Sequence, residues 1–250
     1  MTDWTQTLYD ELMIDLFLER DAAELAQEAQ LLARHLQLAP GARVLDQGCG
    51  IGTHVHALAG LGYRVHGVDV VAACIDAARR RGPSTFTCAD AARFCEPDRY
   101  DGAFSIGSCI GHANDDDTRA QLRAAYASVR PGARYLVETL GIYGVLARFE
   151  PHSITRGTSR RGAVTVLRES TLDLPRGLIH KRWSFLLEGG DAEIRETTFR
   201  FYAPHELAAM LREVGFEVEA VLGGLHGAPL HRDDKRVVVI AKKPQEEIGT

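Results

Sequence analysis

The sequence predicts an α/β fold carried by a mostly parallel sheet, and three observations predict it. Between residues 42 and 140, short apolar runs of strand length alternate with amphipathic helical segments, the pattern of βαβ units. The first run ends in an acid and then three glycines at alternate positions, in 43-RVLDQGCGIGTHV-55. Residues 163–201 break the rhythm with extended segments separated only by LPRG and EGGD, after which the alternation resumes.

The elements follow in order. Asp21 with Glu24 makes an acid-capped helix start. Leu25, Ala29, Leu32 and Leu36 share one face of that helix, and Leu38-Ala39-Pro40-Gly41 stops it. The residues before Asp21 read as one further helix with Tyr9, Leu12, Leu16 and Phe17 apolar. Strands are expected at 42–46, 63–70, 84–90, 100–107 and 133–140, and helices at 53–62, 72–82 and 116–130. The arginines closing 72–82 and the acids opening 116–130 both suit a helix dipole. In the interruption, AVTVLRESTLDLPRGLIHKRWSFLLEGGDAEIRETTFRF reads as three extended segments, which without intervening helices pair as antiparallel hairpins. A helix at 204–216 and strands at 216–224 and 236–243 complete the chain.

Composition bounds the function. The chain has 250 residues, 45% apolar and 25% charged, with a formal net charge of −5. This is a soluble globular composition without the basic excess typical of nucleic-acid binders. No apolar run approaches the length of a membrane span, and the acids early in MTDWTQTLYDELMIDL do not suit a secretory signal. The cysteines at 49, 74, 88, 95 and 109 are scattered, odd in number and never spaced C-x-x-C. Reduced thiols in a cytoplasmic protein are expected, with neither a disulfide framework nor a metal site. His54 and His56 diverge on a helix, and His226 and His231 lack further ligands at metal-binding spacing.

The glycine stretch identifies a ligand site. In an open α/β sheet ligands bind beyond the carboxyl ends of the strands, where strand order reverses. Glycines there permit a tight turn and bring the main chain close to the ligand. Dinucleotide folds use G-x-G-x-x-G around a pyrophosphate. Here the spacing is G-x-G-x-G across Gly48, Gly50 and Gly52, with Asp46 two residues before the first glycine. A carboxylate would repel pyrophosphate and suits a cationic ligand such as an amine or sulfonium. The next strand ends in Asp69, placed to accept ribose hydroxyls. Asp90, after the third, can accept from an exocyclic adenine amine.

With these residues the chain resembles the class I S-adenosylmethionine-dependent methyltransferases. The resemblance lies in VLDQGCGIG, GVDV, CADAARF, YDGAFSIGSCIGH and RPGARYLVETL, in that order and each at a strand end. It implies a Rossmann-like, seven-stranded sheet with the last strand antiparallel, carrying an antiparallel β insertion. It divides the chain into N-terminal lid helices (1–40), a cofactor-binding core (41–142), a β-insertion substrate cap (143–202) and the C-terminal part of the core (203–250). S-adenosylmethionine is the implied cofactor. Asp46 and the backbone of Gly48, Cys49, Gly50 and Gly52 would hold its methionine portion, Asp69 the ribose with Val70 beside the adenine, and Asp90 and Ala91 the adenine. Ser105 and Ile106 would line the methionine end. The family often has Gly or Cys where Cys49 stands, so Cys49 is not read as a nucleophile.

The acceptor is less constrained. The amino-methylating signature of adenine, cytosine and glutamine methyltransferases is absent, and SIGSCIGH is similar to the loop of small-molecule enzymes, including glycine and aminosugar N-methyltransferases. Methyl transfer to N or O of a small molecule is expected. An RNA methyltransferase and a non-catalytic S-adenosylmethionine-binding protein are the rival readings. His112 is a catalytic candidate as a base or a loop histidine. Tyr9 either closes over the methyl group or packs in the core. Arg200 and Tyr202 either face the acceptor or alternate in a half-exposed strand. Arg156, Arg160, Arg161 and Arg168 read as a solvated loop or as a steering patch for an anionic substrate. The expected partner is a small-molecule acceptor, with no nucleic acid, no membrane, no metal, and a homodimer as the assembly to test.

Overall fold

In the computed structural model, which describes residues 7–107, 109–112, 114–190 and 192–245, the chain forms two sheets joined by its N-terminal segment. The main sheet contains β1 (Arg43–Gln47), β2 (Arg64–Asp69), β3 (Thr85–Cys88), β4 (Tyr100–Ser105), β5 (Val129–Leu140), β10 (Glu217–Leu222) and β11 (Arg236–Lys242), in the order β10-β11-β5-β4-β1-β2-β3. β1 lies parallel to both β2 and β4, and only β11 runs against its neighbours. The chain leaves β1 toward one edge and returns to β4 on its other side. That reversal puts the glycine loop at the switch point.

Helices cover both faces. α1 (Glu11–Met13) is a single turn that continues as a π-helical stretch, Ile14–Leu18. α2 (Ala22–His35), α3 (Thr53–Gly60), α4 (Ala72–Arg81), α5 (Asp115–Ser128), α6 (Ile142–Ala147) and α7 (Pro204–Val214) follow. The carboxylate of Asp21 caps α2 by accepting from the amides of Ala23 and Glu24 at 2.9 and 3.0 Å. On one side of the sheet Leu32, Val44, Leu58, Ile75 and Phe86 are buried together; on the other Tyr135, Leu207, Leu211 and Phe216 are.

The insertion is a four-stranded antiparallel sheet of β6 (His152–Ser159), β7 (Gly162–Asp173), β8 (Leu178–Leu187) and β9 (Ala192–Arg200), in that order. Its inner face supplies Val164, Val166, Trp183 and Phe185, which pack on Leu8, Leu12 and Met13 of the N-terminal segment. Ile14 of the same segment packs the opposite way, against Ile51, Val71 and Cys74 of the core. The N-terminal segment is thus a wedge between insertion and core.

Three expectations need correction. The first six residues lie outside the described chain, but from Thr7 onward there is no single continuous helix before Asp21. Asp10 caps a new turn by accepting from the Leu12 and Met13 amides, and the chain then widens into the π stretch. The insertion has four strands, not three. β6 went unread because its sequence, HSITRGTS, is polar and its one large apolar residue, Ile154, points outward at 61% exposure. The arginine stretch is a loop only at Arg160 and Arg161, in the turn between β6 and β7. Arg156 lies in β6 and Arg168 in β7, while Arg160 pairs with Asp15 and Arg161 with Glu193.

Gly52 caps α3 with φ +74°, and a Cβ there would stand 2.8 Å from the Phe86 ring. Strain and overpacking therefore add. Gly52→Ala is expected to lower unfolding free energy by about 1–3 kcal/mol in denaturant titrations.

Candidate active site

The main cavity, about 590 Å³, opens at the carboxyl ends of β1, β2 and β4. Asp46, Asp69 and Asp90 line one part of it, and Tyr9, His112 and Glu138 also line it. The two groups of residues that the sequence singled out for cofactor and for chemistry share one space.

The glycine loop is built by hydrogen bonds to the end of β2. The amides of Gly48 and Cys49 donate to the Val68 carbonyl at 2.7 and 3.0 Å. The Gly50 amide donates to one carboxylate oxygen of Asp69 at 2.8 Å, and Val71 N–H to the other at 2.9 Å. All three loop glycines have positive φ, the conformation that disfavours side chains. At Gly48 the space is also taken, because a Cβ would fall 2.5 Å from Cys109. Cys109 Sγ itself lies 3.0 Å from the Gly48 carbonyl and 2.9 Å from that of Ile106.

The acids are electrostatically poised. Burial raises the Asp46 carboxyl well above the usual range, and the charge of Asp69 adds to it. Burial raises Asp69 too, partly offset by the backbone amides that donate to it. A carboxyl whose folded pKa exceeds its unfolded value costs stability at neutral pH, and the cost is relieved as pH falls through the folded pKa. A cation placed between these groups removes the same cost while they stay ionised. Asp90 accepts from the Ala92 amide at 2.9 Å through one oxygen.

Beside the acids, Ile51, Val70, Ala91 and Ile106 line the cavity with Gly48, Cys49 and Gly50. Gly52 and Ser105 do not. Gly52 packs on Phe86, and Ser105 lies fully buried in β4. At the other end, the His112 ring meets Tyr9 edge-on at 6.0 Å and Phe199 at 4.8 Å. Burial, with Cys109 and Asp69 nearby, pushes the Tyr9 phenol far up. Its hydroxyl is therefore neutral at any physiological pH and cannot serve as a phenolate base.

Arg200 and Tyr202 are not brought to the site. Arg200 donates to Asp115 and Glu206 at 3.3 and 2.9 Å and to the Phe201 carbonyl at 2.7 Å. Tyr202 is 1% exposed, and its hydroxyl donates to Asp115 at 2.9 Å and accepts from the Thr118 hydroxyl at 3.0 Å. Both are spent on fastening the end of the insertion to the start of α5. Alternation along a strand could not reveal this, because the shared partner Asp115 lies 85 residues from Arg200 and 87 from Tyr202 in the chain.

Sequence reasoning missed other cavity residues. Glu138 is 8% exposed, accepts from the Gly107 amide at 2.9 Å and meets Arg236 at 3.4 Å. Both sit in strands rich in apolar residues, and the lone acid in LVETL and the arginine heading RVVVI were the available signals. Glu28 joins Arg20 and His54, at 2.8 Å each, along another cavity wall. Burial works against its ionisation, but hydrogen bonds from His54 and Arg20 hold its carboxyl down at about 2. Among the described residues no cluster suits a metal ion, and the five cysteines are free thiols.

Residues 44–132 match the sequence model of a family described as methyltransferase domain. With this site at the switch point of this sheet, the chain is an S-adenosylmethionine-dependent methyltransferase, with S-adenosylmethionine as its cofactor. It is similar to the dTDP-3-amino-3,6-dideoxy-alpha-D-glucopyranose N,N-dimethyltransferase of Streptomyces fradiae, at 29% identity over 217 residues covering 84% of this chain and 82% of that one. Its fold is shared with the CcbJ methyltransferase of Streptomyces caelestis, at TM-score 0.78 and 20% identity over 97% of both chains. It is shared also with CalS10, an amino pentose methyltransferase from Micromonospora echinaspora, at TM-score 0.68 and 21% identity over 90% of this chain and 93% of that one.

Arg200→Met is expected to lower stability by about 1–3 kcal/mol, the scale for losing hydrogen bonds to a charged group at a part-buried site, while leaving affinity for S-adenosylhomocysteine unchanged. Thermal unfolding and calorimetry on one preparation check both. Asp69→Ala is expected to weaken S-adenosylhomocysteine binding by about 1–3 kcal/mol, measured by the same calorimetric titration.

Proposed function

We propose that this enzyme methylates the amine of a small-molecule acceptor, an amino sugar or a compound of similar size. One observation carries the reading: a single cavity joins three carboxylates at strand ends to a mixed polar and aromatic wall of Tyr9, His112 and Glu138. The similarity to a sugar N,N-dimethyltransferase supports nitrogen as the accepting atom and permits two successive transfers.

The donor set fits an adenosyl sulfonium. The Asp69 oxygens accept backbone amides, Gly50 on one and Val71 on the other, and a carboxylate's remaining lone pairs can take the two ribose hydroxyls. Asp90 keeps one oxygen for an adenine amine, with Val70 and Ala91 as apolar neighbours of the ring. Asp46 and the main chain of Gly48, Cys49 and Gly50 take the methionine portion. Gly52 and Ser105 support this site from behind, through packing.

S-adenosylmethionine supplies an electrophilic methyl whose C–S bond breaks as the N–C bond forms, leaving neutral S-adenosylhomocysteine. The chain provides alignment and dryness, which contribute most in well-oriented displacements. Tyr9 and His112 bound the space where an acceptor nitrogen would approach. Tyr9 acts as a neutral hydroxyl that orients, since burial keeps its proton on. His112 receives the proton that the nitrogen sheds. Residues 143–202 act as the acceptor cap, with the N-terminal wedge beneath it as the lid.

A turnover screen that reads S-adenosylhomocysteine release across amines, sugars, phenols and acids tests the assignment. Release is expected with amines, and His112→Ala is expected to lower kcat by about 100-fold or more, the scale of a lost general base. Turnover confined to phenols or acids would contradict nitrogen as the accepting atom. Unchanged kcat in His112→Ala would remove the histidine from the mechanism.

A further inference from the structure

Among the described residues, two cations on the inner face of the insertion sheet meet no carboxylate. Arg168 of β7 and Lys181 of β8 flank the ring of Trp183, the guanidinium carbon 5.3 Å and the ammonium 5.8 Å from its centroid. Lys181 also lies 5.5 Å from the Phe199 ring, and Arg168 lies 5.8 Å from that of Phe17. Among the described residues neither makes an ion pair with a carboxylate. Arg168 reaches only the Thr155 hydroxyl, at 3.4 Å, and its buried Nε has no hydrogen-bond partner. The contrast with Arg195, in the same cross-strand row, is direct: it meets Asp10 and Glu193 at 2.5 Å each. The carboxylates nearest in sequence, Glu169 and Glu196, belong to exposed positions paired across the strands with Arg182.

These cations stand next to the active site. Phe199, under the Lys181 ammonium, packs its ring on His112, which lines the cavity, and Phe17 lines it as well. Arg236 of β11 lines the cavity, is 44% exposed and meets Glu138 at 3.4 Å. Burial, reinforced by the charges of Arg168 and Arg236, pulls the Lys181 ammonium down to about 8. Unpaired cations held together in a half-buried wall cost free energy. A bound anion removes that cost.

We propose that Arg168 and Lys181 form an anion-binding subsite in the roof, which seats a phosphoryl or carboxylate group of the methyl acceptor. This rests on the small-molecule reading of the cavity. It adds a requirement to that reading: the acceptor bears a negative group at one end and the accepting nitrogen at the other, with the Phe199–His112 ring pair between. The aromatic floor supplies apolar contact for the body of such a molecule, and the two cations fix its orientation.

The test uses the full chain without cofactor, titrated by calorimetry and thermal unfolding with inorganic pyrophosphate and, separately, with succinate. Wild type is expected to bind at least one anion and to unfold at higher temperature in its presence. Preference for pyrophosphate assigns a phosphoryl group and preference for succinate a carboxylate. Lys181→Met is expected to lose at least about 10-fold in anion affinity, and its unfolding temperature without anion should equal or exceed that of wild type, because an uncompensated charge has been removed. Arg168→Met should show the same loss. Lys181→Arg should keep the affinity. Above pH 8 an anion must bring a proton to Lys181 as it binds, so wild-type affinity should fall by up to about 10-fold per pH unit there; Lys181→Arg should not show that fall. Failure of both anions to bind wild type, or equal binding by wild type and Lys181→Met, overturns the subsite. Titration of each protein with S-adenosylhomocysteine separates the two claims. If it binds while the anion results are negative, the subsite alone fails. If it does not bind wild type, the cofactor-site reading fails whatever the anions do.

Discussion

The carboxylate of Asp69 holds the active site together. It stands at the end of β2 and accepts the Gly50 amide from the neighbouring loop, while the Val68 carbonyl beside it accepts the Gly48 and Cys49 amides. The first βα turn is thereby stitched to the second strand by both side chain and main chain. This requires a loop with positive φ at three positions, which only glycine meets cheaply. It also brings Asp69 close enough to Asp46 for the two charges to oppose each other. The fold tolerates that repulsion beside the cavity, where a bound cation would relieve it. A pyrophosphate at the same place would aggravate it, so the charge of the turn, as well as its spacing, separates this site from those of dinucleotide enzymes.

A second constraint couples the cofactor core to its cap. The N-terminal segment buries Leu8, Leu12 and Met13 against the insertion and Ile14 against the core. Tyr9 lies between these two contacts and reaches the cavity. Burying several such side chains contributes about 1.5–3 kcal/mol each relative to exposure, enough to hold the insertion on the core without a covalent link. Enclosure matters because a methyl cation equivalent is also open to water, and because electrostatic contacts strengthen in a dry site. The insertion also carries Arg168 and Lys181, neither of which meets a carboxylate among the described residues, and Lys181 lies over the Phe199 ring that packs on His112.

Much of this was legible in the sequence because a parallel sheet exposes its logic locally. A strand end, an acid and a turn are neighbours in the chain, and Asp46, Asp69 and Asp90 each announce themselves in that way. The cofactor wall therefore needed no long-range information. Arg200 and Tyr202 did, since the residues that engage them, Asp115 and Thr118, are remote in sequence. Glu138 and Arg236 looked like ordinary strand charges because antiparallel pairing of β5 with β11 is what brings them together. The polar edge strand β6 carried too few apolar residues for alternation to show, and the π stretch after α1 follows from packing on both sides that local propensity does not encode.

The central claim is that an adenosyl group lies along the strand ends with its ribose on Asp69, its adenine amine on Asp90 and its sulfur directed toward Tyr9 and His112. A crystal structure with S-adenosylhomocysteine bound measures this most directly. The account predicts both ribose hydroxyls within hydrogen-bond distance of the Asp69 carboxylate and the sulfur facing the His112 end of the cavity. Adenosine seated elsewhere, or a ribose with no contact to Asp69, would contradict it.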